Sequence, residues 1–265
     1  MKRLTNINYF IIPVMIMLII WCSPGCAPDR PARRIPRFSH PDVCLIVNEK
    51  VPDSWKGVTY QLTDYDAETE NYIAILRREL SLYPEGYLRK ANVQRIVLGR
   101  DLAFNGQYRA AVPDPYTGNM YYSVNGAYGV AAEYYLVHCI HHELHHMVEF
   151  AIWHDFWYDW PEWQKLNIPG FRYGYGGEEA YTDTYRDYYS ATHPEKGFLN
   201  LYSMTGDEED RAEIMAYIMS GIERETLIRY CRVDDILRKK VKCITDLVHG
   251  FAGTRFIKTD PFLAR

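Results

Sequence analysis

The chain has 265 residues, 48% of them hydrophobic and 24% charged, with a net charge of −4. Those proportions suit one large domain or two small ones with a sizeable core. The acidic balance offers no basic face for a phosphate backbone, so no nucleic-acid partner is expected.

The N-terminus reads as an export signal. Lys2 and Arg3 precede a mostly apolar run from Tyr9 to Trp21, and Ser23-Pro24-Gly25-Cys26 follows. That run has the length of a signal-peptide core and is short for a membrane-spanning helix. Its end resembles a bacterial lipoprotein signal, in which a small residue precedes a cysteine that becomes lipidated. Cys26 after Gly25 fits that pattern better than Cys22 after Trp21, although Ser23 stands where an aliphatic residue is usual. Residues 1–25 are therefore expected to be the signal and Cys26 the lipid anchor, on the periplasmic or the outer side of the cell envelope. Residues 26–42 read as an extended tether, with Pro28, Pro31, Pro36 and Pro41 set among arginines. Outside the cytoplasm disulfides are permitted, and Cys44, Cys139, Cys231 and Cys243 remain for them. Cys231 with Cys243 is one possible pair, and Cys139 reads as a buried small apolar residue.

Residues 43–265 read as one α+β domain. Cys44 to Val47 is a short apolar strand candidate, and Ala67 to Leu82 a helix with Tyr72, Ile73, Leu76 and Leu80 on one stripe. Val93 to Leu98 and Met120 to Val124 read as strands on either side of a turn at Asp114-Pro115-Tyr116-Thr117-Gly118. A long helix follows from about Ala131 to Trp153. Next come the aromatic run Phe156 to Trp163 and the glycine-rich loop Tyr173-Gly174-Tyr175-Gly176-Gly177. Glu178 to Tyr189 alternates acids and tyrosines without a clear apolar stripe. A helix is expected from Gly206 to Met219, with Thr205 and Glu208 spaced as a capping box. The last helix spans Asp234 to Val248, with Leu237, Val241, Ile244 and Val248 on one face.

The segment that carries chemistry is His142-Glu143-Leu144-His145-His146. Residues four apart share one helix face, so His142 and His146 can both reach one zinc ion. Glu143 lies about 100° further round, placed to take a proton from water at the metal. Val137, Ile140, Leu144, Met147 and Val148 give the same helix an apolar face. His138 with His142 and His141 with His145 are also spaced by four, but in neither pair does glutamate follow the first histidine. His138, His141 and His145 therefore read as structural or solvent-facing. A catalytic zinc needs a third protein ligand, and the strongest downstream stretch is Tyr202 to Glu213.

There the chain resembles the gluzincin metallopeptidases related to the catalytic domain of anthrax lethal factor. It is still more similar to the zinc-binding metallopeptidase lipoproteins of that type. Their HExxH helix is followed by an E-x-x-A-E helix, here Glu209-Asp210-Arg211-Ala212-Glu213. The resemblance implies a zincin-like fold, in which a small sheet packs on the HExxH helix and further helices follow. It implies zinc bound by His142, His146 and Glu209, with Glu213 one turn on to orient the site. It also implies that Tyr202, seven residues before Glu209, steadies an oxyanion. The stretch between His146 and Glu209 is longer than in lethal factor, and residues 153–190 fill it. That stretch contains Glu179-Ala180-Tyr181-Thr182-Asp183, the E-x-x-x-D spacing of thermolysin-like enzymes, so Glu179 is the competing third ligand. The insert either lines the substrate cleft, acts as a lid or packs over the helices. The function so implied is hydrolysis of peptide or protein substrates outside the cytoplasm. Two alternatives stand beside it: a surface binding module that keeps the fold without catalysis, and zinc capture by the histidine cluster.

Overall fold

Both faces of one long strand are apolar, and the fold is arranged to cover them. The computed structural model describes residues 44–47, 49–52, 54–126, 132–182 and 186–263. The expected signal (1–25), Cys26 and the tether lie outside them, as does Asp183. The elements begin with β1 (Cys44–Val47), β2 (Val58–Gln61), α1 (Ala67–Leu80) and α2 (Tyr87–Lys90). They continue with β3 (Arg95–Phe104), β4 (Gln107–Tyr108), β5 (Ala111–Asp114), β6 (Asn119–Ser123) and α3 (Glu133–Trp153). After α4 (Pro161–Gln164) and α5 (Glu179–Thr182), a 3-10 turn at Tyr202–Met204 leads into α6 (Asp207–Met219). The chain closes with α7 (Arg224–Cys231), α8 (Asp235–Ala252) and α9 (Asp260–Leu263). Among the described residues no helix is long and apolar enough to cross a membrane.

The sheet runs β1-β3-β6-β5, with β1, β3 and β6 parallel and β5 antiparallel at the edge. The far half of β3 pairs antiparallel with β2 and β4. Alternation along the strands divides the side chains. Ile96, Leu98, Met120 and Tyr122 join the main core with α1 and α3, while Val97, Leu102, Val112 and Tyr121 meet Val51 and Tyr60 on the other face. Burial on both faces is why Ile96 to Leu98 is a continuous apolar run, and the strand extends past the expected end at Leu98 because its far half pairs with β2 and β4.

In β5 the backbone carries information that the side chains hide. Ser123 N–H donates to Ala110 O at 2.8 Å. Strand alternation then turns Val112 and Asp114 toward β6, and leaves Ala111 and Pro113 on the open edge. Proline is tolerated there because its missing N–H takes nothing from the ladder.

The helices follow the expected stripes but differ at their ends. Asp66 caps α1 by accepting from Thr69 N–H, and the helix stops at Leu80 rather than Leu82. Asp234 caps α8, which begins one residue late and continues to Ala252, with Leu237, Val241, Ile244 and Val248 buried. The expected capping box does not form: Gly206 is the N-cap of α6 without a side-chain bond, and Thr205 Oγ1 instead donates to Tyr202 O. Cys139, Cys231 and Cys243 are free thiols, so the Cys231–Cys243 bridge is not present.

Candidate metal centre

Two helices that are buried nearly all round, α3 and α6, lie against each other. Such helices have no solvated face to hold their charges, so every charged side chain needs a local partner. Along α3 each histidine has found a carboxylate. His138 Nε2 is 2.8 Å from Glu213 Oε1 and its Nδ1 is 3.0 Å from Glu223 Oε2. His141 Nε2 is 3.0 Å from Glu79 Oε2, while its Nδ1 meets the Tyr83 hydroxyl at 2.9 Å. His145 Nε2 is 3.0 Å from Glu149 Oε1, which also accepts from Arg211 Nε at 2.6 Å. All three histidines are buried and structural.

His142 and His146 are arranged differently, because their nitrogens converge on each other as well as on a carboxylate. His142 Nε2 stands 3.1 Å from His146 Nε2 and 3.0 Å from Glu209 Oε2, and His146 Nε2 stands 3.5 Å from the same oxygen. Around a tetrahedral zinc with bonds of about 2.0–2.1 Å, donor atoms lie roughly 3.3–3.4 Å apart. Two imidazoles and one carboxylate are also a donor set that zinc accepts, so the residues present fit the ion. Burial would raise the Glu209 carboxyl, but the two histidines hold it well below the usual range.

Behind the ligands, Glu213 Oε1 lies 3.1 Å from His142 Nδ1, off the line of an ideal hydrogen bond. Its Oε2 accepts from Asn200 Nδ2 at 2.6 Å. This is the position of an outer partner that fixes the imidazole tautomer and leaves Nε2 free to bind. His138, His142 and Glu213 also come close enough to be a second possible metal group, but His138 has a carboxylate on each of its nitrogens.

Glu143 lines the same cavity of about 370 Å³ as His142, His146, Glu209 and Tyr202. Burial pushes its carboxyl above the usual range, with His142 and His146 working against that rise. The Tyr202 ring lies 5.9 Å from that of His142. A Cβ on Gly177 would collide with both the Tyr202 hydroxyl and Glu209 Oε1, so these two groups share one small space under the glycine loop. The loop is tied down by Gly174 N–H donating to Met204 O at 3.1 Å and Gly176 N–H to Thr205 O at 2.7 Å.

Glu179, the competing third ligand, is placed elsewhere. Its carboxylate accepts from Tyr175 N–H and packs against Gly174, and it does not line the cavity. One part of the insert packs over the helices and another borders the cavity. Trp153 stacks on Tyr158 and Trp160 on Trp163 over the helices. Phe156 stacks on His146, and Trp157, Tyr175, Gly177 and Tyr181 line the cleft.

Sequence reasoning missed several lining residues. Ala111, Val112 and Pro113 bring the open edge of β5 to the cavity. Arg109 stacks on Tyr181, 3.4 Å from the ring centroid, and donates to Gln107 Oε1 at 2.7 Å. Glu208 enters from the first turn of α6, with burial and then the adjacent Glu209 charge raising its carboxyl. The only signal for β5 was a four-residue apolar patch interrupted by proline, which argues against a strand unless the edge is known to be open. No protein-family model, curated protein or solved structure matches this chain.

Proposed function

We propose that the chain is a zinc-dependent metallopeptidase with a zincin-like fold of the gluzincin type, which hydrolyses peptide bonds outside the cytoplasm. The observation that carries this reading is the convergence of His142, His146 and Glu209 in one cavity with Glu143. The mixed sheet with its antiparallel edge strand beside the HExxH helix supports the fold assignment. The N-terminal sequence supports export and anchoring through Cys26.

A bound zinc ion would supply Lewis acidity to the substrate carbonyl and to water. His142, His146 and Glu209 would hold it, and Glu213 would keep His142 in the binding tautomer. Glu143 takes a proton from the attacking water and returns it to the leaving amine. A raised carboxyl pKa suits that double role, because the group must gain a proton and lose it again. Tyr202 donates its hydroxyl proton in a hydrogen bond to the developing oxyanion. Along β5 the outward N–H and C=O of Ala111 and the C=O of Pro113 offer a peptide backbone one added strand.

A broad peptide library incubated with zinc-loaded protein at several pH values tests the reading. Cleavage is expected, and Glu143→Gln should slow it by about 10²–10⁴-fold without loss of zinc. Activity that survives Glu143→Gln, or a library left intact, would contradict it. An inactive binding module would have no use for an acid at Glu143. Zinc capture by the cluster would need His138, His141 and His145, whose Nε2 atoms face carboxylates instead.

A further inference from the structure

The cavity of the candidate metal centre is lined by the carboxylates of Glu143, Glu178, Glu208 and Glu209, by one guanidinium, that of Arg109, and by no lysine. Elsewhere in the chain an arginine beside acids takes them as partners. Arg78 meets Glu79 and Glu133, Arg100 meets Asp66 and Glu68, and Arg211 meets Glu149 and Asp207. Arg109 pairs with no carboxylate among the described residues, although acids share its cavity.

Neutral groups hold it instead. The guanidinium lies over the Tyr181 ring, 3.4 Å from its centroid. Its Nη2 donates to Gln107 Oε1 at 2.7 Å and its Nη1 to Tyr108 O at 3.4 Å. The backbone is fixed as well, with Arg109 N–H donating to Leu102 O at 2.8 Å. Tyr181 is fixed in turn, because its hydroxyl is hydrogen-bonded to that of Tyr189, whose ring packs on Tyr202 at 5.1 Å. The guanidinium is thereby oriented relative to the candidate oxyanion donor. A guanidinium has five N–H groups. Two are used in the bonds above, and the others meet no acceptor among the described residues. A planar fork that is held in place without a counter-charge is preorganised for an acceptor from outside the chain.

The position of the fork says what would reach it. Arg109 stands two residues before Ala111, at one end of the open β5 edge that Ala111 and Pro113 bring to the cavity. A peptide laid along that edge passes the guanidinium. We infer that Arg109 is a specificity-determining residue that takes a carboxylate of the substrate peptide, from an acidic side chain or from a free C-terminus. This rests on the peptidase reading for the occupant being a peptide. A carboxylate is planar and can accept two parallel N–H bonds from the fork. The acids that line the rest of the cavity repel a carboxylate, which leaves the guanidinium as the place that attracts it.

The test uses zinc-loaded protein carrying Glu143→Gln, titrated calorimetrically with two sets of short peptides. In the first set, C-terminal amides differ only in glutamate or glutamine at one scanned position. In the second, each glutamine peptide is compared as free acid and as amide. In at least one set the carboxylate should bind about tenfold more tightly, and the set in which it does so identifies the source. The advantage should shrink as salt is raised. Arg109→Gln should abolish it and leave binding of the glutamine amides unchanged, which reports an intact cleft. Arg109→Lys, which keeps the charge without the fork, should retain an advantage of about threefold. Equal binding of carboxylate and neutral peptide in both sets, no binding of any peptide, or an advantage undiminished in Arg109→Gln or Arg109→Lys would overturn the proposal. Cleavage by the protein with Glu143 intact is read separately. A carboxylate preference without cleavage keeps the subsite and removes the peptidase, and cleavage without a preference does the reverse.

Discussion

Helix α6 carries two sets of buried charge, and they are satisfied in opposite ways. On one side Arg211 is locked between Glu149 and Asp207, with its guanidinium donating also to Tyr158 O, and Lys240 is closed onto Asp210. In those pairs cations alternate with acids, and no added ion is called for. On the other side Glu209 meets two imidazoles whose nitrogens face each other at 3.1 Å. That arrangement leaves three donors aimed at one point. The same helix therefore carries charge that builds the core and charge that, on the proposed function, would hold a metal, and the difference lies in geometry rather than in composition.

The largest effect expected from breaking the closed side is on stability. Arg211→Ala strands Glu149 and Asp207 in the core and should lower the unfolding free energy by about 3–5 kcal/mol in urea denaturation. The folded fraction should still bind zinc, and loss of zinc at unchanged stability would erase the distinction between the two sides. On the open side, Tyr202→Phe should lower kcat by roughly 10²-fold with little change in KM or zinc content, as read by steady-state kinetics. Glu213→Gln should weaken zinc affinity by about 10–100-fold in a chelator competition while the melting temperature moves little. The smallest effect should come from Gly177→Ala. Its new Cβ meets Glu209 Oε1 and the Tyr202 hydroxyl, so the glycine loop must withdraw, and activity should fall by about threefold to tenfold. Unchanged kinetics in that variant would show that the loop does not define the site.

How legible these features were depends on how far apart their parts lie in sequence. The pairing of His142 with His146 is set by one helical turn, so the motif alone places both side chains on one face. The apolar stripes of α1 and α8 are equally local. Glu209 lies 67 residues from His142, and nothing in periodicity separates it from Glu179. Only the resemblance of its local E-x-x-A-E pattern favoured it, and the packing of α6 on α3 brings it to the histidines. The acids of α6 could equally have faced solvent, because the sequence of a helix does not reveal that both of its sides are covered. Arg109, β5 and Glu208 were missed for a related reason. Each becomes part of the cleft only when strands and helices distant in sequence are set side by side, and Pro113 disguises a strand whose open edge tolerates it. The capping box failed because Thr205 is held by Tyr202 O, a competing local bond of the 3-10 turn.

The central claim is that His142, His146 and Glu209 hold a single zinc ion. Metal analysis of the dialysed protein, alongside Glu209→Ala and Glu179→Ala, tests it most directly. The account predicts a single zinc per chain in the unaltered protein and in Glu179→Ala, and its loss in Glu209→Ala. Zinc retained by Glu209→Ala and lost from Glu179→Ala would contradict it.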